Sequence, residues 1–386
     1  MLRDLVIVGA GPVGATLALA LRDADLDLVV LDSRAAGTPY RSDRSLALSH
    51  GARLILERLD VWPRLASTRG VVTPITSVDV SQARGFGMTR LVASDHDVPA
   101  LGYVVSYRAL QSALDAALAR AGIGIQFGAA ANKVGGTPAY VAVTLTDGNA
   151  DPITARLAVI ADGSGALVDG IRRERKDYGH VAVTAKVAIN RPHGGRAFER
   201  FTDEGPMALL PEGEDYGVVW TMTPERAQET LALGDNAFLD ALAARFGPRF
   251  EGFVGVSSRR SFPLALEIAR PTIGTRAVVV GNAAQSLHPV AGQGFNLGMR
   301  DAFELAQTII TTPRDALGDG PMLATYAKRR LPDRVAGIAF THGLVQLFGT
   351  SFPLMSWPRG FALTLLDSLP PAKRVFARAM LFGIHT

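Results

Sequence analysis

Cysteine is absent from all 386 residues. That excludes disulfides, thiolate metal centres and thiol nucleophiles, and it fits a reducing compartment. Charge is sparse and nearly balanced: 40 basic residues against 36 acidic ones leave a net charge of +4. So mild a balance gives no reason to expect nucleic acid as a partner. His50, His96, His193, His342 and His385 are scattered without i, i+4 pairing, so no metal site is expected. There is no Walker sequence and no Gly-x-Ser-x-Gly elbow, which leaves phosphoryl transfer and serine hydrolysis unsupported. A membrane span or secretory signal is not expected either. The 17 uncharged residues Leu5–Leu21 include Gly9, Gly11, Pro12 and Gly14, and they run on into Arg22, Asp23 and Asp25 without a cleavage site.

What is present is apolar: 48% hydrophobic residues can bury a large core, and a chain this long implies about two domains. Asp4–Val8 reads as a strand, followed by a glycine turn, a helix to about Ala24 and a second strand, Leu26–Leu31. That is a βαβ unit and implies a parallel sheet covered by helices. Helical periodicity continues in Gly51–Leu65 and Tyr107–Ala121, with strands at Ile75–Ser81, Gly102–Ser106, Tyr140–Leu145 and Leu157–Ile160. From Val181 to Leu266 short alternating strands interrupted by one helix, Asn236–Phe246, imply an antiparallel sheet with one face open to a ligand. The α/β pattern resumes at Arg276–Val280, and helices follow at Gly294–Thr311 and Pro321–Leu347. The expected architecture is α/β, with a Rossmann-like nucleotide-binding domain (1–75, 100–178, 268–330), an inserted antiparallel substrate domain (76–99, 179–267) and a C-terminal helical region (331–386).

Three segments carry chemistry. Gly9-x-Gly11-x-x-Gly14 lies between two strands, and Asp32 ends the second one. Gly9 permits the tight turn, Gly11 admits a pyrophosphate, Gly14 allows close helix–strand packing, and Asp32 is placed for the adenosine ribose. The helix start offers free N–H groups to phosphate. This motif alone does not separate NAD from FAD. The second segment, Asp162-Gly163-Ser164-Gly165, reads by itself as a surface turn. The third runs from Gly281 to Ala302 (GNAAQSLHPVAGQGFNLGMRDA), follows an apolar strand and opens a helix at about Gly294. Its glycines keep the backbone close to a flat ligand, and the helix N-terminus can stabilise negative charge on a reduced flavin ring.

In order and spacing these segments resemble the GxGxxG, DG and GD motifs of single-component (class A) flavoprotein monooxygenases. The wording of the third resembles the UbiH/VisC-type hydroxylases of ubiquinone biosynthesis. Further matches lie in 44–49, 107–110, 200–202, 205–211 and 262–264. The resemblance implies that Gly9, Gly11, Gly14 and Asp32 hold the ADP half of FAD, and that Arg44 and Arg108 contact its phosphates or ribityl region. It assigns Asp162, Gly281 and Asn282 to the cofactor as well. Asn282 stands where the wider family has an aspartate, and an amide can still donate and accept there. Gly292, Gly294, Phe295 and Asn296 would line the isoalloxazine edge, with His288 and Pro289 beside the ring as catalytic candidates. His180 stands where this branch is expected to have glutamine.

The resemblance further implies NAD(P)H as co-substrate and hydroxylation of a polyprenylated phenol by way of a flavin C4a-hydroperoxide. The absence of cysteine separates the chain from flavin disulfide reductases, and the absence of Trp-x-Trp-x-Ile-Pro separates it from flavin halogenases. After Leu354 the basic residues Arg359, Lys373, Arg374 and Arg378 interleave with Phe361, Leu365, Leu366, Phe376, Met380, Leu381 and Phe382. That composition fits either peripheral contact with the inner membrane from the cytoplasm or packing on the protein itself. A homo-oligomer and membership of a quinone-pathway complex are both compatible with it. Three alternatives stay open: a hydroxylase of a small soluble aromatic, which calls for a buried carboxylate clamp; a non-catalytic FAD-binding accessory protein of a lipid-pathway complex; and an oxygen-independent reductase of prenyl lipids.

Overall fold

A computed structural model describes residues 1–38, 44–83, 87–146, 151–247, 252–288, 292–349, 360–361, 364–365 and 367–384. The chain opens with β1 (Arg3–Val8), α1 (Pro12–Ala20) and β2 (Leu28–Asp32). Pro12 at the first helical position fixes a helical φ where no intrahelical N–H is needed, so α1 starts abruptly after the turn. Next come β3 (Ser45–Ser49), α2 (His50–Arg58), α3 (Trp62–Ser67), β4 (Val72–Ile75), β5 (Ser77–Gln82), β6 (Met88–Val92), β7 (Gly102–Ser106) and α4 (Tyr107–Arg120). Ser49 and Ser106 cap α2 and α4, accepting from the amides of Ala52 and Ala109 at 3.2 and 3.0 Å. The single helical stretch expected over Gly51–Leu65 is divided in two, with Asp60 at φ 57° between the halves.

Strands β8 (Ile125–Phe127), β9 (Ala131–Gly136), β10 (Val141–Leu145) and β11 (Ile153–Ile160) lead into the middle region. There β12 (Arg172–Ile189), β13 (Arg196–Thr202), β14 (Gly205–Glu212) and β15 (Asp215–Met222) precede α5 (Pro224–Ala232), α6 (Asp235–Phe246) and β16 (Phe253–Arg270). Two helices therefore interrupt the middle strands where periodicity indicated one. The overlooked α5 is marked by Thr223-Pro224, a cap accepting from the Arg226 amide followed by proline at the first turn. The chain continues with β17 (Ile273–Gly274), β18 (Ala277–Val279), β19 (Gln285–Ser286), α7 (Gln293–Ile310), α8 (Gly320–Gly349) and α9 (Pro370–Phe382).

Sheet order explains how distant segments meet. The first sheet, β17-β18-β11-β1-β2-β8, is parallel from β18 to β8, and β9 and β10 extend it through β11. Its central strands are buried on both faces, as their unbroken apolar sequence requires. The second sheet, β19-β16-β12-β15-β14-β13-β5-β6, is antiparallel except for the parallel pair β13–β5. A small sheet, β3-β7-β4, joins the two halves. Strand β12 carries a bulge at Tyr178–Gly179, with Gly179 at φ 67°, where a change of domain was expected, and β16 continues through residue 268.

The second sheet has two different faces. One carries Val183, Met207, Leu209, Val218 and Trp220 and is covered by Phe238, Leu242 and Phe246 of α6. The other turns toward the nucleotide-binding half. There Val78, Ala197 and Leu210 pack against Ile75 and Val104, and α8 lies against β13 and β14. No helix among the described residues is long and apolar enough to cross a membrane. Much of α9 is docked on the protein: Leu381 is buried, Phe376 meets Phe340, and Phe382 meets His50. Phe361 and Leu365 are exposed, whereas Leu354, Arg359 and Leu366 lie outside the described residues.

Candidate active site

The glycine turn after β1 has an open centre and closed ends. Gly9 has φ +103°, and a Cβ there would lie 2.7 Å from the Ala161 carbonyl. A Cβ on Gly14 would overlap the Gly9 carbonyl oxygen, so α1 seats on the turn only without a side chain. Gly11, between them, has nothing nearer to such a Cβ than the Tyr107 hydroxyl at 3.9 Å. That space fits a pyrophosphate at a helix N-terminus. Asp32 braces the turn: one carboxylate oxygen accepts from the Ala10 amide at 3.0 Å and the other from the Arg34 amide at 2.8 Å. Gln111, fully buried, donates to the Ala10 carbonyl at 2.8 Å. Arg44 stacks over the Tyr107 ring at 5.3 Å, which puts a cation beside the open centre. Arg108 sits exposed in the first turn of α4.

The second and third segments close on this turn. Asp162 accepts from the amides of Ser164 and Gly165 at 3.0 and 2.9 Å and from the Ser164 hydroxyl. Its loop touches Gly9 on one side, while Gly165 meets the backbone of Ala283 on the other. Arg173, which the sequence did not single out, ties the two loops together. It donates to the Gly163 carbonyl at 3.1 Å and the Asn282 carbonyl at 3.2 Å, and it pairs with Glu267 at 2.6 Å. The Asn282 side chain is exposed. Gly281 packs on Val13 of α1, and Gly298 of α7 approaches Gly281 in turn, so the first and third motifs share one contact.

Gly292 begins α7 in the left-handed region, at φ +61°. Asn296, 2% exposed, uses its whole amide to secure that turn. It accepts from the Ser49 amide at 2.8 Å and donates to the carbonyls of Ala47 at 3.0 Å and Gly292 at 2.8 Å. Gly294 faces Leu287, and Phe295 is half-buried against the main core. One turn further along α7, Asp301 accepts from the Gly281 amide at 3.3 Å, Gln285 at 2.6 Å and Arg330 at 2.8 Å. Arg330 and Arg300 in turn share Asp333, each at 2.8 Å. This buried cluster fixes the third segment to α8.

His288 is 1% exposed, and its ring meets the Tyr178 ring edge-on at 5.7 Å. Burial, reinforced by the nearby His180, lowers its pKa to about 4, so it is neutral near pH 7. Tyr178 is 3.1 Å from His342 Nδ1, and His180 Nδ1 lies 2.7 Å from the Tyr178 carbonyl. His180 and His342, separate in sequence, thus gather around Tyr178 beside His288. Pro289 lies outside the described residues. Among the described residues no cluster of His, Asp or Glu could hold a metal ion.

A backbone cradle of this form, open at Gly11 and walled by three glycine-rich loops, fits a dinucleotide with a flat ring at one end. The FAD binding domain family matches residues 3–340 of the chain. The chain belongs to this family. As an FAD-binding protein it is 32% identical to ubiquinone hydroxylase UbiL of Rhodospirillum rubrum, over 97% of this chain and 88% of that one. It is 28% identical to 3-demethoxyubiquinol 3-hydroxylase of Escherichia coli, over 96% of both chains. Its fold is similar to that of a Klebsiella pneumoniae HpxO variant solved with FAD (TM-score 0.74, 16% identity, all of both chains). The fold is therefore that of the FAD-dependent monooxygenases, and FAD is its cofactor.

Of the residues singled out from sequence, Gly9, Gly11, Gly14, Asp32, Asp162, Gly281 and Asn282 lie on loops that contact one another, Arg44 stands beside Gly11 on the Tyr107 ring, and Gly292 packs on Ala47 of β3. Arg108 is on the adjoining helix start. Asn296 contributes through the turn it holds. Arg173, Tyr107 and Asp301 were missed. Asp301 was at least legible as the acid closing the GMRDA stretch, whereas nothing in the local sequence marks Arg173.

Proposed function

We propose that this flavoprotein monooxygenase hydroxylates the aromatic ring of a polyprenylated phenol in ubiquinone biosynthesis, with NAD(P)H and O2 as co-substrates. The observation that supports the reading best is the largely apolar inner face of the second sheet, set against the flavin loops. A greasy ring can lie there without a charged clamp, whereas a soluble benzoate would need one. The relatives named as ubiquinone hydroxylases agree with that choice.

In this reading Gly9, Gly11, Gly14 and Asp32 hold the ADP half of FAD, with Arg44 and Arg108 serving its phosphates. Asp162, Gly281 and Asn282 flank the middle of the cofactor, and Gly292, Gly294, Phe295 and Asn296 form the edge beside the ring. FAD, when bound, takes reducing equivalents from NAD(P)H and delivers one atom of O2 to the substrate. The chain itself orients the two partners and excludes water. His288, neutral and packed on Tyr178, offers a fixed dipole next to the ring without adding charge, and Pro289 follows it.

The functional division of the chain is the one set out from sequence: flavin-binding segments 1–75, 100–178 and 268–330, substrate segments 76–99 and 179–267, and helices from 331 to 386. Exposed Phe361, Leu365, Leu369 and Val375, with Arg374 and Arg378, supply a peripheral membrane contact through which a lipid-borne substrate is collected. The test is a deletion strain examined by mass spectrometry. Accumulation of a prenylphenol lacking one ring oxygen, cleared by the intact gene, supports the reading; an unchanged quinone profile refutes it.

A further inference from the structure

On the inner face of the second sheet Glu199 stands among apolar neighbours, whereas two other carboxylates of that face are engaged, Glu212 accepting from the Ser45 hydroxyl at 2.6 Å and Asp215 lying 3.6 Å from Lys186. Strand register places Thr89, Val80, Glu199, Ala208, Val219 and Thr184 side by side in a single row across β6, β5, β13, β14, β15 and β12. Residues alternate between faces along a strand. Phe198 and Arg200 therefore point to the helix-covered side, while Ala197, Glu199 and Phe201 point toward the nucleotide-binding half. Ala197 indeed packs with Ile75 and Val104, and α8 lies against β13 and β14 on this side. A buried carboxyl flanked by valine and alanine and without a charged partner marks a place where a ligand brings its own polar group.

We propose that Glu199 is the acid–base residue of the substrate pocket and accepts the proton of the ring hydroxyl of a phenolic substrate. The inference rests on the hydroxylase reading above and deepens it. In the step, the substrate O–H bond breaks and a carboxyl O–H bond forms. The electron pair stays on the phenol oxygen, and nothing is oxidised or reduced. A phenolate pushes electron density into the ring carbons, which makes the ring the better partner for an electrophilic oxygen donor.

Electrostatics agree with this placement. Burial alone pushes the Glu199 pKa up to about 8. It nevertheless keeps some accessible surface. No neighbouring charge competes. Arg196 pairs with Asp79 on the opposite face, Lys186 lies 3.6 Å from Asp215, Asp367 accepts from Thr89 and Lys373, and Arg260 is exposed at the end of the row. On α8, His342 engages Tyr178 and Lys176, while Arg330 and Arg334 are committed to Asp301, Asp333 and Gln285. A base titrating near 8 is far better matched to a phenol than an ordinary carboxylate, which is too weak to take its proton.

The test compares the FAD-loaded protein with its Glu199→Gln variant, using a short-chain 2-prenylphenol between pH 6 and 10. Wild-type hydroxylation rises through about pH 8. The variant keeps its FAD and its NAD(P)H-driven flavin reduction, loses that rise, and turns over ~100-fold more slowly, the usual worth of a positioned acid–base group. Equal kcat with an unchanged pH profile overturns the assignment. Binding of the same phenol supplies a readout independent of turnover. Affinity that strengthens through pH 8 in the wild type but stays flat in the variant supports Glu199, and identical binding curves overturn it. A wild type that binds the phenol in this pH-dependent way yet never oxygenates it sinks the hydroxylase reading and leaves the site.

Discussion

Asn296→Ala is the most direct probe of how the flavin loop is built. The side chain makes three hydrogen bonds, to Ser49, Ala47 and Gly292, from a position 2% exposed. Each is worth about 1 kcal/mol net, and the buried Ser49 amide left without an acceptor costs a further ~1 kcal/mol, for about 4 kcal/mol in all. Asn296→Asp should be no milder: it keeps the acceptor for Ser49 but turns a carboxylate toward two carbonyl oxygens. Urea unfolding of the FAD-free proteins, followed by tryptophan fluorescence, measures the loss without cofactor linkage. FAD titration then reads the consequence for the site, a weakening of about tenfold or more as the start of α7 loosens from β3. If the Asn296→Ala apoprotein unfolds within about 1 kcal/mol of the wild type, the amide is not the clasp that its hydrogen bonds indicate.

Gly11→Ala and Gly14→Ala should fail differently. Gly11→Ala leaves apoprotein stability unchanged and lowers FAD affinity by on the order of tenfold or more, because its methyl meets only the phosphate space; Gly14→Ala destabilises the apoprotein itself, and equal unfolding curves for the two would contradict this. Arg173→Ala should weaken FAD retention by about tenfold through the loops at Gly163 and Asn282, and Arg173→Lys should not restore it, since one ammonium cannot span both carbonyls and Glu267. Equilibrium dialysis checks both variants. His288 should remain neutral in the folded protein down to about pH 4. Because its folded pKa lies below its unfolded value of 6.5, stability from this group is intact above that pH and falls as pH drops from about 6.5 toward 4; an imidazole NMR titration with its midpoint near 6.5 would contradict this.

The flavin half was readable because its rules are local. A glycine at each end of a turn, a proline at the first position of α1 and an acid at the end of β2 act within one βαβ unit, so their spacing survives in the one-dimensional text. Strands such as Gly102–Ser106 were legible for the same reason, being continuous apolar runs bounded by a cap. Boundaries failed where the deciding residue was a single backbone outlier, as at Asp60, or where a long strand mixed charged and apolar positions. The first half of β12, Arg172–Asp177, is charged because Arg173 and Arg175 reach across to Glu267 on β16, and no periodicity announces a partner almost a hundred residues away.

By itself, then, the sequence determined the dinucleotide turn and the alternation that makes the middle a sheet, and its resemblance to known flavoproteins pointed to the three cofactor segments. Only the tertiary structure decided which side chains share a face. Glu199 is one acid among many in the text, and it becomes singular because β5, β13, β14 and β15 pair in a register that surrounds it with valine and alanine. Asn296 was singled out for the flavin edge, and only the fold shows that Ser49 and Ala47 meet its amide. The physical reason is common to both. Hydrogen-bond and steric demands within a turn are set by neighbours along the chain, whereas the polarity around a buried group is set by whatever long-range pairing places next to it.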